Sequence, residues 1–277
     1  MTTRRIAVRP APLIATAILT VVTAIQLFPF VMMLWTSLTD PAHTRPGSFS
    51  LTGWTLANFR DAWASLDWPH LYLNSLGVVF LIAGLQVVLA LPAAYALARL
   101  RFRGERVAFW LVILCMNVPA QVTAIPLFYA LSRIGWLDTY QVLILPWIGS
   151  GFGVFLLRQF ILSIPQSVFD AARIDKARPV ALLWHIVLPN VRPAIMAFVT
   201  FSVVLHWNDL YWPSVMLRSN DAATVTYAIA QYAGPDSSIS YGQQMAAAIL
   251  AIAPLIALYL VAQRHLVRGL QLTSGGE

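Results

Sequence analysis

The sequence predicts an all-α, polytopic membrane protein with six transmembrane helices. Three observations carry this. The 277 residues are 59% apolar and only 10% charged, against roughly 25% charged in an ordinary globular domain. Mean hydropathy is +0.71. Apolar runs of about 18 residues or more recur along the chain, the length a bilayer's hydrocarbon core demands. So few charges could hardly cover a soluble surface.

Residues 1–11 are polar and carry Arg4, Arg5 and Arg9. An apolar run from Pro12 to Trp35 follows. It is longer than the roughly 7–15-residue core of a signal peptide and no Ala-x-Ala site follows it, so it reads as a retained first span. Residues 39–72 read as an outer loop, with turn formers (Asp40-Pro41, Arg45-Pro46-Gly47) and interfacial aromatics such as Trp54, Trp63 and Trp68. The remaining spans are expected over 76–98, 107–131, 140–161, 193–215 and 245–262. Asn117, Pro119 and Pro126 interrupt the third, and Pro146, Gly149, Gly151 and Gly153 the fourth. Such breaks are tolerated where neighbouring helices satisfy the freed carbonyls. A second outer loop is expected over 217–241. With no internal repeat of about 20–50 residues, residues 1–277 read as one transmembrane domain.

Orientation follows from charge. Arg45, Arg60, Arg133 and Arg218 fall on one side; the other fourteen of the eighteen Lys and Arg fall on the opposite side. The positive-inside bias then places both termini and the 163–192 loop in the cytoplasm.

Several chemistries find no support. Lys176 is the sole lysine and follows Asp175, so no phosphate-binding G-x-x-x-x-G-K-[ST] loop exists. The five histidines show no ligand spacing, and no G-x-S-x-G elbow occurs. The basic residues form no stripe with interleaved aromatics, which argues against nucleic acid. Cys115, alone, cannot form an internal disulfide and reads as a small membrane residue. Within the spans Asp209 is the main ionisable group, with Arg158 near an end. A proton- or sodium-coupled transporter would show more.

The 163–192 stretch is the longest charged interruption in the second half. Ser163-Ile-Pro-Gln166 and Ser167-Val-Phe-Asp170 have capping-box spacing, predicting a helix over 165–177. Phe169, Ala172 and Lys176 then share one face, and Ala171 and Asp175 another. Pro179 opens a second short helix, which the Leu188-Pro189 step ends. Taken alone, these residues favour a solvated loop whose charges enforce topology.

The order Asp170-Ala-Ala-x-x-Asp175-x-Ala177, then Ile186-x-Leu188-Pro189 and Pro193, resembles the EAA loop of ABC-importer permeases of the carbohydrate type. Ala93-Ala-Tyr-Ala-Leu-Ala-Arg-Leu-Arg-Phe-Arg-Gly104, Asn74-Ser75, Pro126-Leu-Phe128, Gly135-Trp-Leu-Asp-Thr139, Ile164-Pro165 and Trp207-Asn208-Asp209 also fit that family, in order, over nearly the whole chain. The closest likeness is to the six-span permease of maltose and glycerol-3-phosphate importers. The resemblance implies a bacterial inner-membrane subunit that is not an enzyme and binds no cofactor. A second permease, two ATPase subunits carrying ATP and magnesium, and an external solute-binding protein would be its partners. It implies a coupling helix between the fourth and fifth spans, docking on an ATPase through Asp170, Ala171, Ala172, Asp175, Lys176, Ala177, Leu188 and Pro189. The sequence departs from the pattern at Asp170 for Glu, Lys176 for Gly and Leu183 for Phe, and in a shortened tail from Gly269. Lys176 argues against a strained turn at that point.

Solute would be bound by amides and carboxylates, with aromatic rings against its apolar faces. Trp207, Asn208, Asp209 and Trp212 are the first candidates; Asn117, Gln121 and Gln86 follow. The same residues equally suit helix capping and bridging near a membrane surface. The scarcity of basic groups in the spans favours a neutral carbohydrate over glycerol 3-phosphate or a phosphodiester. A stand-alone secondary transporter is the rival from another class.

Overall fold

A computed structural model describes residues 10–40, 53–234 and 239–274, with side chains from residue 15 to residue 260 except Arg173. Parts of the expected termini and outer loops (1–9, 41–52, 235–238 and 275–277) lie outside the described residues. Among the described residues the chain is helical, with one isolated bridge between Thr39 and Trp54. Four helices are long and apolar enough to cross a membrane, or six if each of two bent helix pairs is one span.

The chain divides into two compact units. The first comprises Met1–Asp67 and Tyr232–Leu250. It holds α1 (Pro10–Ser37), α2 (Ala57–Ser65) and the start of α13 (Tyr241–Ser274). Helix α1 exposes Ile18, Leu19, Ile25, Phe28 and Val31, a helix apolar on every side and suited to lipid. Its end is held by α2, where the Asn58 amide donates to the Ser37 and Thr39 carbonyls at 3.0 and 2.8 Å. Gly242 opens α13 against that same amide; a Cβ there would lie 2.6 Å from Asn58 Nδ2. Residues 57–65, expected within an outer loop, are therefore an ordered helix.

The second unit comprises Trp68–Gln231 and Ala251–Glu277. Helix α3 (Trp68–Arg99) has 32 residues, about 48 Å at 1.5 Å per residue. It begins eight residues before the expected span. Helices α4 (Glu105–Met116) and α5 (Ala120–Arg133) meet at 93°. Asn117 ends α4, and Pro119 starts α5 from extended backbone. Pro126 stays inside α5. Helix α6 (Tyr140–Ile144) passes through a 3-10 turn at Leu145–Trp147, and α7 (Gly151–Ser163) follows with a 40° bend. Ser150 caps α7 by accepting the Gly153 N–H at 3.0 Å.

Helix α8 (Gln166–Ile174) is shorter than expected, and α9 (Pro179–Leu182) follows it. Contrary to expectation, the helix that Pro179 opens does not stop at Leu188-Pro189. It runs through a π-type turn, Leu183–Val187, into α10 (Leu188–Trp207). The Leu188 N–H reaches back five residues to the Leu183 carbonyl. This wider spacing absorbs a proline that would break a regular helix. The expected fifth span also ends early: α10 stops at Trp207, and α11 (Tyr211–Met216) and α12 (Val225–Tyr232) are separate.

Helices α3, α7 and α10 form the centre of this unit. Gly153 lets α7 approach α10, since a Cβ there would lie 2.6 Å from the Phe198 ring. The core around them includes Leu91, Tyr95, Leu157, Ile161, Phe169, Val187 and Val191.

Candidate functional site

Two places in the second unit gather the residues singled out by the sequence. The first surrounds α8. Phe169 is 1% exposed and anchors this helix in the core. Arg99, the last residue of α3, holds it from the side. Its guanidinium lies 4.3 Å from the Phe169 ring centroid and donates to Gln166 Oε1 at 2.7 Å. It also donates to the carbonyls of Ile161 and Leu162, at 2.8 and 3.3 Å, at the end of α7. Arg158 of α7 returns the contact, donating to the Leu97 carbonyl at 3.0 Å near the end of α3. Each arginine thus satisfies carbonyls that the other's helix leaves open.

The sequence-selected coupling residues separate on this framework. Ala172 and Ala177 are partly buried against the core, as is Leu188. Asp170, Ala171, Asp175, Lys176 and Pro189 are exposed, with Asp170 accepting from the Gln166 amide at 2.9 Å. Ile174, 81% exposed, adds an apolar group beside them. Lys176 has φ 57°, so the strained turn that its side chain argued against does form. The cause is the helix end. The Ala177 N–H reaches the Ala172 carbonyl, five residues back, at 3.0 Å, and this six-to-one closure requires a left-handed residue between.

The second place is the break between α10 and α11. A cavity of about 710 Å³ is bordered there by Gln121, Trp147, His206, Asn208, Asp209 and Tyr211, with apolar neighbours. Asp209 also caps α11, accepting the Trp212 N–H at 3.1 Å. A smaller cavity of about 400 Å³ shares Ala120 and Trp147 and is bordered by Cys115 and Trp212. Cys115 is exposed rather than enclosed.

Other candidates do not border the larger cavity. Trp207 is buried, and its carbonyl accepts from Thr226 at 2.6 Å. Trp212 is buried and donates its indole N–H to the Val142 carbonyl at 2.8 Å. Asn117 donates to the Ile113 carbonyl of its own helix at 2.8 Å. Gln86 is enclosed: it donates to the Trp147 carbonyl at 2.7 Å and accepts from Ser202 at 2.7 Å. Sequence reasoning missed His206 and Tyr211 at the cavity and Arg99 at α8.

At the far end of the same unit, Asn74 and Ser75 fasten the 221–225 segment. The Asn74 amide donates to the Asp221 and Ala223 carbonyls at 3.0 and 3.1 Å, and Ser75 accepts the Val225 N–H at 2.8 Å. Asp138 fastens the segment after α11, accepting the Arg218 and Ser219 N–H groups at 2.9 Å each.

Residues 86–272 match the model of a family described as the binding-protein-dependent transport system inner membrane component. The chain belongs to this family. It is a multi-pass transport component rather than an enzyme. Among curated relatives, it is 32% identical over 213 residues to the arabinooligosaccharides transport system permease protein AraQ of Halalkalibacterium halodurans, covering 77% of this chain and 75% of that one. It is 34% identical over 205 residues to the sn-glycerol-3-phosphate transport system permease protein UgpE of Yersinia pestis, covering 72% and 71%. The fold also matches a chain from the crystal structure of a bacterial ABC transporter involved in the import of the acidic polysaccharide alginate. The TM-score is 0.80 and the identity 22%, over 95% of this chain and 99% of that one. The family match contains both the α8 region and the cavity; Asn74 and Ser75 precede it.

Proposed function

We propose that the chain is the permease subunit of an ATP-driven importer for a neutral carbohydrate. Each bent helix pair is one span, giving six, with both termini and α8 in the cytoplasm. A second, different permease chain completes the path, and an external binding protein delivers the solute. Two ATPase subunits, which bind magnesium with the nucleotide, supply the energy by hydrolysing ATP. They dock on α8 through Ala171, Ile174 and the acidic groups Asp170 and Asp175, while Ala172, Ala177 and Leu188 hold α8 from behind. Gln121, Asn208 and Asp209 line the solute path.

The observation that carries the solute class is the cavity lining. It combines two amides, one carboxylate and the rings of Trp147 and Tyr211, with no Lys or Arg. Such groups match hydroxyls and apolar sugar faces; a phosphate would want cations. The likeness to the glycerol-3-phosphate permease keeps a second reading in play, and one experiment decides between them. The chain is reconstituted in liposomes with a candidate partner permease, ATPase and binding protein from the same organism. Uptake of labelled arabinotriose and of sn-glycerol 3-phosphate is then measured. ATP-dependent uptake of the sugar alone is expected. Uptake of the phosphate alone overturns the solute class, and transport by this chain without ATPase overturns the importer reading.

A further inference from the structure

His206 sits in α10, borders the 710 Å³ cavity and is only 8% exposed. Its Nε2 lies 3.4 Å from Gln86 Nε2. The amide orientation of Gln86 is fixed by its other partner. The Trp147 carbonyl, 2.7 Å away, can only accept, so the NH2 of Gln86 must face it. Ser202 then donates to the remaining oxygen. The same NH2 meets His206 Nε2, which must accept. A proton on Nε2 would set two donors against each other, so the ring proton resides on Nδ1.

Nδ1 is open. His185, about six turns earlier in the same continuous helix, pairs its Nδ1 with the Ala181 carbonyl at 3.0 Å. No described group pairs with Nδ1 of His206, and it is not among the enclosed polar atoms without partners. Nδ1 is thus accessible, and His206 lines the cavity together with Asn208 and Asp209. Of the cavity's other lining groups, Asp209 and Tyr211 are the titratable ones.

We propose that His206 is a solute-contacting donor, held as its neutral Nδ1–H tautomer by Gln86, Trp147 and Ser202. The pairing of this donor with the Asp209 carboxylate suits a ligand that both accepts and donates within one small region. Vicinal hydroxyls of a sugar do so; an anion would face Asp209. Gln86 acts as the positioning residue that joins α3 to α10 and sets the tautomer. This inference rests on the reading of the cavity as the solute path.

Two measurements test it. In the full chain labelled with 15N-histidine, in lipid nanodiscs, the His206 signals are identified by their loss in His206→Asn. An unprotonated Nε2 and a protonated Nδ1 are expected; the opposite pattern overturns the tautomer and the donor with it. In the reconstituted importer, His206→Asn keeps a donor near the Nδ1 position, whereas His206→Gln extends toward Gln86 and removes it. With arabinotriose as probe, maximal uptake is expected to fall about tenfold in His206→Gln and less than about threefold in His206→Asn, as one lost hydrogen bond implies. The half-saturating concentration, set by the binding protein, stays unchanged in both. Equal losses, or the reverse order, overturn solute contact and leave a packing role. A wild-type complex that moves no arabinotriose overturns the sugar reading itself, and the 15N spectrum is judged independently of that failure.

Discussion

The helix that runs from Pro179 to Trp207 is flanked by two breaks, and they leave different things open. Before it, α8 is pinned from behind by Phe169 and from the side by Arg99, and an outward face remains: Ala171, Ile174, Asp170 and Asp175. After it, the chain turns at Asn208–Leu210, and polar groups gather around a cavity instead. An exposed helix face with small and apolar residues suits another protein's surface. A cavity with a few converging polar groups suits a small solute. On the proposed function, one helix would have the ATPase-docking face before its start and the solute path at its end.

The largest expected effect breaks the comparison at α8 itself. Ala171→Trp, on the exposed face, should cut ATP-driven uptake more than tenfold while membrane-inserted protein is unchanged. Ala172→Trp, one residue on, should instead reduce the yield of folded chain, because Ala172 packs against the core. If the two variants behave alike, the face assignment fails. Next comes the anchor. Phe169→Ala should cost about 3–5 kcal/mol, as for other buried aromatics. Thermal unfolding in detergent measures it, and a loss under 1 kcal/mol would mean that α8 is not held by this wedge.

Which features were legible depends on the range of the contacts that make them. The apolar spans depend on local composition, and they stand out in the sequence. So does the break at Asn117–Pro119, where proline chemistry acts on the adjacent residue. The Leu188-Pro189 step was misread because a proline stop presumes regular helical spacing, and the π-type turn removes that presumption. Gln86 shows why the site was only half visible. An amide within a span is noticeable, but its partners lie 61, 116 and 120 residues further on. Nothing local distinguishes an amide that staples helices from one that faces a solute. Arg99 counts as a topology charge until Ile161, Leu162 and Gln166 are brought to it.

A smaller effect is expected where the chain is fastened beyond the cavity. The Asp138 carboxylate is held below the usual carboxylate range by the backbone N–H groups of Arg218 and Ser219. A group with a depressed folded pKa stabilises the fold above about pH 4, its unfolded value, and this contribution is lost as pH falls through the lower folded value. Asp138→Ala should cost about 1 kcal/mol at neutral pH, since the group is solvent-accessible. The cost should vanish in unfolding measurements under acid. An equal cost at both pH values would assign the effect to the left-handed turn at Asp138, φ 62°, and not to the carboxylate.

The smallest effect separates turn from contact at Lys176. A side chain in the left-handed region costs about 1 kcal/mol relative to glycine, and Lys176 occupies it at φ 57°. Lys176→Gly should therefore raise the unfolding midpoint by about 2 °C for a chain of this size. The six-to-one closure by Ala177 is kept, so α8 should end where it does now. Uptake then decides why lysine is there. If its ammonium only sits in solvent, uptake per ATP hydrolysed is unchanged in the glycine variant. If it pairs with an acidic group of the ATPase, the more stable chain couples less well, and Lys176→Arg, which keeps charge and backbone strain alike, couples nearly as the parent does. A rise in stability with a fall in coupling would make the strained turn a feature of the docking face.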